Sequence, residues 1–147
     1  MKSMRSIYSK TILILPKTQY DAIVIPVIDG KLSAFGKKAD KIFGFSARLS
    51  EYINTYGNRA FNLGYVCYGG LYFRLYTFPI SNPKNPSESI KSSAKDLVER
   101  VEKYGSKTVY FPPFLCKDKA YDWKYDIKPL LKDIFDDRFC VVIGSKS

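Results

Sequence analysis

Apolar residues fall in short blocks along the chain, and the period of each block predicts an element of secondary structure. Residues 22–28 are apolar at successive positions, which is typical of a central strand covered by a layer on each face. Residues 61–68 and 71–78 are joined by two glycines and predict a β-hairpin. Further short strands are predicted at 11–15, 107–111 and 138–143.

Helical patterns occupy the segments between these strands. From Ile90 to Tyr104 the apolar residues share one helical face, and Gly105 follows as a stop signal. Asn85 is predicted to cap this helix, with Pro86 at its first position. Three more helices are predicted: one from Lys37 to Gly44, one capped by Ser46, and one from Ile127 to Phe135.

This order of elements defines a fold class. Helices alternate with strands at both ends of the chain and a hairpin interrupts them, which predicts an α/β fold with a mixed, mostly parallel central sheet between two helical layers. We expect one domain over residues 1–147, in which residues 1–10 are a flexible or edge segment. Ligands of such sheets bind beyond the carboxyl ends of the strands, a crevice formed here by residues 28–38, 78–85 and 112–122.

Composition excludes several kinds of chemistry. The 147 residues contain no histidine, so no Ser-His or Cys-His nucleophile pair and no histidine zinc site exists. The three cysteines, Cys67, Cys116 and Cys140, are odd in number and widely spaced, which favours free thiols in a reducing compartment. We therefore predict neither a metal nor a cofactor.

The charge of the chain points to an anionic partner. Twenty-four Lys and Arg against 14 Asp and Glu give +10, and residues 1–48 supply +6 of it (nine basic minus three acidic). Such a balance favours nucleotides, nucleic acid or membrane headgroups without choosing among them, and the alternative is that the excess charge serves only solubility. The apolar run from Ile12 to Leu15 is too short for a signal peptide or a membrane span, so we expect a cytoplasmic protein without a membrane partner.

Three stretches resemble the macrodomain family. Residues 21–42 resemble its strand, glycine loop and first helix, and residues 78–98 resemble its Phe-Pro segment. Residues 108–143 resemble one bacterial branch, as does the YGNRAFNLG string at 56–64. The matching positions in residues 108–143 are Pro112, Cys116, Asp122, Trp123, Pro129 and residues 136–139. The resemblance implies a three-layer α/β/α fold that binds ADP-ribose, and in some members hydrolyses ADP-ribose derivatives.

The chain departs from the family at the expected ligand site. The first glycine loop retains Gly36 but has Lys38 at its second glycine, and the family asparagine falls at Ile28, beside Asp29. The adenine-binding aspartate and the lysine of the Phe-Pro segment are replaced as well. Their positions hold Ile14 and Leu15, and Ser81; the glycines of the second loop are replaced by Leu115, Lys117, Lys119 and Ala120.

Two interpretations of the lysines follow. Either Lys37, Lys38, Lys117 and Lys119 hold a phosphate as a cationic rim, or they are solvated residues around an inactive pocket. Asp29 and Asp118 are the candidate general bases, and Cys116 is assigned to packing rather than to nucleophilic attack. The predicted ligand-binding set is Ile28, Asp29, Gly36, Lys37, Lys38, Phe78, Ser81, Pro112, Leu115, Cys116, Lys117, Asp118 and Lys119.

The resemblance therefore implies a divergent macrodomain that binds ADP-ribose or a related nucleotide, without catalysis. Three alternatives remain open. The chain is a nucleic-acid-binding module on this scaffold, an ADP-ribosyl hydrolase with unusual residues, or a degenerate domain that acts through protein contacts. The hairpin aromatics Tyr65, Tyr68, Tyr72, Tyr76 and Phe78 have two explanations. Those that are exposed beside lysines would fit the first alternative, because bases stack on aromatic rings, and otherwise they pack the sheet.

Overall fold

The computed structural model describes residues 2–57, 59–116 and 121–144. Within these ranges seven strands form one sheet in the order β1-β7-β6-β2-β5-β4, and β3 pairs with the end of β2. Strand pairs along this order are parallel except β4–β5, the hairpin. The strands are β1 (Arg5–Tyr8), β2 (Asp21–Ile28), β3 (Lys31–Leu32), β4 (Asn62–Tyr68), β5 (Leu71–Ile80), β6 (Thr108–Phe111) and β7 (Phe139–Ile143).

Helices cover both faces of the sheet. Buried residues of α1 and α2 pack on one face and those of α3 and α4 on the other, which confirms the three-layer α/β/α fold. Successive residues of β2 serve the two layers in turn: Ala22 and Val24 face α3, whereas Ile23 and Ile25 face α1. The helices are α1 (Ala34–Phe43), α2 (Ser46–Tyr56), α3 (Ser87–Tyr104) and α4 (Lys128–Leu131).

The first predicted strand, residues 11–15, is wrong. Ile12 and Leu13 are buried, but they lie in a turn in which the Leu15 amide donates to the Ile12 carbonyl at 3.2 Å. Their apolar side chains fill the core below α1 and α2 without joining the sheet. The first strand is instead β1, which pairs in parallel with β7 at the edge of the sheet.

The predicted helix ends are only partly correct. Gly44 and Gly105 end α1 and α3 in the left-handed conformation, as expected. The caps predicted at Ser46 and Asn85 are each wrong by one residue: α2 begins at Ser46 itself, with Phe45 at the cap, and α3 begins at Ser87, with Pro86 at the cap. The Asp40 carboxylate serves α2 instead, accepting from the amides of Phe45 and Ser46 at 2.9 and 2.8 Å.

Two helix lengths also differ from the predictions. α1 begins at Ala34, three residues before Lys37, because the Ser33 hydroxyl accepts from the Gly36 amide at 3.1 Å and caps the helix there. The helix predicted over 127–135 is a π-helical turn, Trp123–Ile127, followed by the single turn of α4. Asp122 caps the π-helical turn by accepting from the Tyr125 amide.

Candidate functional site

The carboxyl ends of three adjacent parallel strands, β2, β5 and β6, meet at one edge of the sheet. In the described residues, the loop after each strand contains one non-glycine residue in the left-handed conformation. These are Asp29 (φ 50°), Asn82 (φ 51°) and Leu115 (φ 62°). Asp and Asn adopt this conformation readily, whereas for Leu115 it costs about 1–2 kcal/mol, and backbone strain of this kind is concentrated at functional sites. We call these three loops together the carboxyl edge.

Asp29 joins two of the three loops. Its amide donates to the carbonyl of Ile80 at 2.9 Å, and its carboxylate accepts from the Asn82 amide at 3.2 Å. The side chain is exposed, at the tip of the turn between β2 and β3. The residue predicted as a general base thus links the loop after β2 to the loop after β5.

The loop after β6 sends side chains down into the core. Phe114 is 1% exposed and stacks on Phe78 and Phe111, with ring centroids 4.2 and 5.2 Å apart. Leu115 is 6% exposed, and Pro112 is buried as well. Of the predicted ligand-binding residues, Phe78, Pro112 and Leu115 thus pack inside the protein.

Cys116 ends the described part of this loop. Its thiol contacts the carbonyl oxygen of Phe114 at 3.3 Å. Burial, and to a lesser extent the carboxylates of Asp122 and Asp126, raise the pKa of Cys116 to about 11. The thiol is protonated at neutral pH, so it is a poor nucleophile and fits the packing role expected for it.

The residues predicted on α1 have two different environments. Gly36 is buried, and a Cβ there would lie 3.0 Å from Leu32 Cδ2 and 3.3 Å from Ile25 Cγ2. Glycine therefore lets α1 approach Leu32 and Ile25 more closely than a side chain at this position would allow without a shift of these neighbours. Lys37 and Lys38 are exposed in the first turns of α1, and neither forms an ion pair with a described residue.

The remaining predicted residues also follow the strand ends. Ile28 is partly exposed at the end of β2 and pairs with Lys31 and Ile80. Ser81 is half-buried, and its amide donates to the Ser89 hydroxyl in the first turn of α3 at 2.7 Å. Lys117, Asp118 and Lys119, the rest of the predicted set, lie outside the described residues.

Sequence reasoning missed two residues of the carboxyl edge. Asn82 takes a left-handed conformation, and the Tyr121 hydroxyl donates to the Pro83 carbonyl at 2.7 Å, joining the loop after β6 to the loop after β5. The signal for Asn82 was its residue type in a short loop after a strand, since asparagine tolerates positive φ. No sequence pattern indicates the Tyr121 contact, which spans 38 positions.

No protein-family model and no curated protein matches the chain. Several solved structures do match. The macrodomain of Mycobacterium tuberculosis DarG is 13% identical, with a TM-score of 0.69 over 95% of this chain and 97% of its own. Thermosipho africanus DarTG in complex with ADP-ribose is 12% identical, with a TM-score of 0.70 over 96% of this chain and 43% of its own. The macrodomain of Thermus aquaticus DarG is 17% identical, with a TM-score of 0.62 over 93% and 96%.

These identities are too low to show more than the fold. The chain has the macrodomain fold, which confirms the fold that the sequence resemblance implied. Among the described helices, none combines the length and apolar character needed to cross a membrane.

Proposed function

We propose that this chain is a divergent macrodomain that binds ADP-ribose or a related nucleotide anion at the carboxyl edge, without catalysis. The fold supports the proposal, because one of the matching proteins was solved in complex with ADP-ribose. Parallel α/β sheets bind their ligands at this edge in general. The +10 net charge favours an anionic ligand.

The observation that carries the proposal is the backbone of Leu115. The resemblance places the first glycine of the family's second loop at this position, and Leu115 has a φ of 62°, a value that glycine adopts without strain. The glycine is absent but the backbone conformation that it allows is present. Retention of a strained conformation at a strand end supports a functional role for the path of this loop.

In this proposal, lysine ammonium groups replace the main-chain contacts that a glycine loop would make with a phosphate. Phe114 and Leu115 fill the space beneath the second loop, so a phosphate would lie on its outer side. Lys37 and Lys38, near the start of α1, supply ammonium groups that bind phosphate as point charges. Lys117 and Lys119 have the same role on the sequence argument alone.

Binding without catalysis is supported by the state of the nucleophile and base candidates. Cys116 is protonated at neutral pH because its pKa is about 11. One oxygen of the Asp29 carboxylate accepts a hydrogen bond from the Asn82 amide, and this bond links the loop after β2 to the loop after β5. No histidine exists in the chain to act as a base. Asp118 remains a candidate general base on the sequence argument alone.

Calorimetric titration with ADP-ribose tests the proposal. We expect saturable 1:1 binding, weakened about tenfold or more by Lys37→Glu with Lys38→Glu, since about 1.4 kcal/mol of lost interaction changes the affinity tenfold. The matched control is Lys41→Glu with Lys132→Glu, which changes the net charge equally at two exposed lysines. No heat at millimolar ADP-ribose, or equal weakening by both pairs, would contradict binding at this edge. Release of ADP-ribose from a modified protein would contradict the absence of catalysis.

A further inference from the structure

A cavity of about 290 Å³ lies beside β4, the strand at one end of the sheet order. None of its lining residues belongs to the loops of the carboxyl edge. The cavity separates α2 and the start of β4 from the carboxyl-terminal turns of α3. It is lined by Tyr52, Arg59, Ala60, Phe61, Asn62, Arg100, Lys103 and Tyr104.

The charged residues of this lining are all cations. Arg59 is held by Asp96 in a two-bond ion pair, with Nη2 at 2.8 Å and Nε at 3.2 Å from the two carboxylate oxygens. Arg100 donates from Nε to the Ala60 carbonyl at 3.4 Å, and its terminal nitrogens contact no acceptor among the described residues. Lys103, one turn further along α3, forms no ion pair within the same part of the chain.

Asp96 lies near two of the three cations: it forms an ion pair with Arg59, and the charges of Arg59 and Arg100 both lower its pKa. It engages Arg59, and Glu99 lies near enough to the same guanidinium to contribute to the raised pKa of Arg59. Neither Arg100 nor Lys103 has a carboxylate within ion-pair distance among the described residues. Like charges on one wall repel each other unless an anion lies between them.

Aromatic rings adjoin these cations. Tyr104 lines the cavity and is 38% exposed. The guanidinium of Arg74 lies between the rings of Tyr104 and Tyr65, at 4.6 and 4.3 Å from their centroids. This stacking fixes the position of the Tyr104 ring at the mouth of the cavity. Lys103 Nζ also lies 5.5 Å from the centroid of the Tyr104 ring. A positioned ring beside cations that lack an ion pair suits a ligand that carries both a planar base and a phosphate.

We propose that this cavity binds a phosphorylated nucleoside, with the phosphate on Arg100 and Lys103 and the base on Tyr104. Arginine and lysine are the residues that hold phosphate in proteins, by fork geometry and by point charge respectively. A volume near 290 Å³ is at the lower end for ligand sites and limits the occupant to one nucleotide unit. That unit has two sources, a free mononucleotide or one nucleotide of a single strand. The site is separate from the one under Proposed function.

Amide NMR titration of the full chain with adenosine monophosphate, inorganic phosphate and an eight-residue oligothymidylate tests this inference. We expect shifts at Asn62, Lys103 and Tyr104 on addition of a nucleotide ligand, with weaker binding of phosphate alone. Shifts with the mononucleotide identify a free nucleotide as the source, and shifts with the oligonucleotide alone identify a single strand. No shift at the cavity with either ligand, or shifts confined to the carboxyl edge, would overturn the proposal. If inorganic phosphate bound as tightly as the nucleotide ligands, the proposed stacking of the base on Tyr104 would be refuted.

Variants separate this cavity from the proposed ADP-ribose site. Arg100→Gln with Lys103→Gln should weaken the binding of adenosine monophosphate about tenfold or more. Tyr104→Leu should weaken the binding of adenosine monophosphate without weakening that of inorganic phosphate. Lys91→Gln with Lys95→Gln, on exposed positions of the same helix, is the matched control and should change neither. ADP-ribose shifts at Asp29 and Asn82 should persist in the cavity variants. Equal losses in the cavity and control pairs would refute a specific site here.

Discussion

Leu115 provides a test of whether the second loop keeps the conformation of a glycine loop. The residue is 6% exposed, so Leu115→Ala removes a packed side chain and should destabilise the fold by about 2–5 kcal/mol. Leu115→Gly removes slightly more side chain, and at most positions glycine is less stable than alanine by about 0.5–1 kcal/mol. At a φ of 62°, however, the alanine Cβ is itself strained by about 1–2 kcal/mol, and glycine is not.

The relief of strain therefore offsets the ordinary penalty of glycine. We expect Leu115→Gly to be as stable as Leu115→Ala, or more stable by up to about 1 kcal/mol. Leu97, fully buried within α3, is the matched control, where glycine should be less stable than alanine by about 1 kcal/mol. The comparison of two variants at one site cancels most of the cost of the cavity.

Urea unfolding measures these differences. Trp123 is the single tryptophan of the chain and is half-buried, with its ring centroid 5.9 Å from that of Phe111, so its fluorescence reports on unfolding. The four variants should share one slope with urea, so that differences in midpoint report differences in stability. If glycine is less stable than alanine by the same amount at Leu115 as at Leu97, the left-handed conformation of Leu115 is refuted, and with it the main support for the proposed site.

Three further predictions concern other residues. At pH 8, iodoacetamide should modify the exposed Cys67 faster than Cys116, whose pKa of about 11 keeps it protonated; equal rates by peptide mass spectrometry would contradict its burial. Gly36→Ala should lower stability in urea by about 1–3 kcal/mol, because the new methyl would crowd Leu32 and Ile25; a gain in stability would show that these side chains move aside without cost. The Arg138 guanidinium lowers the pKa of Asp136. The ionised Asp136 carboxylate therefore stabilises the fold above its unfolded pKa of about 3.9, and this stabilisation is lost as the pH falls through the lower folded pKa. Asp136→Asn should therefore flatten the acid loss of stability, and an unchanged pH profile would contradict the pairing.

The central strands were predictable because burial alone specifies them. β2 lies between two helical layers, and its continuous apolar run records that position. β1 gives no such signal, since three of its four residues are exposed and its place depends on pairing with β7. The apolar run at Ile12 and Leu13 misled for the converse reason, because buried turns are apolar too.

The position of the candidate site was predictable from the sequence, but the side-chain packing beneath it was not. The positions of Asp29 and Leu115 follow from the strand ends and from the resemblance. The stacking of Phe114 on Phe78 brings together residues 36 positions apart, and no local pattern encodes such a contact. The cavity at Arg100 depends in the same way on α2, β4 and α3, which are separate in sequence.

Amide NMR titration of the labelled chain with ADP-ribose tests the central claim most directly. Binding at the carboxyl edge predicts saturable shifts at the amides of Asp29, Asn82 and Leu115, one in each of the three loops. These shifts should persist in the cavity variant Arg100→Gln with Lys103→Gln. Absence of shifts in all three loops at millimolar ADP-ribose, or shifts confined to the cavity, would contradict the proposed function.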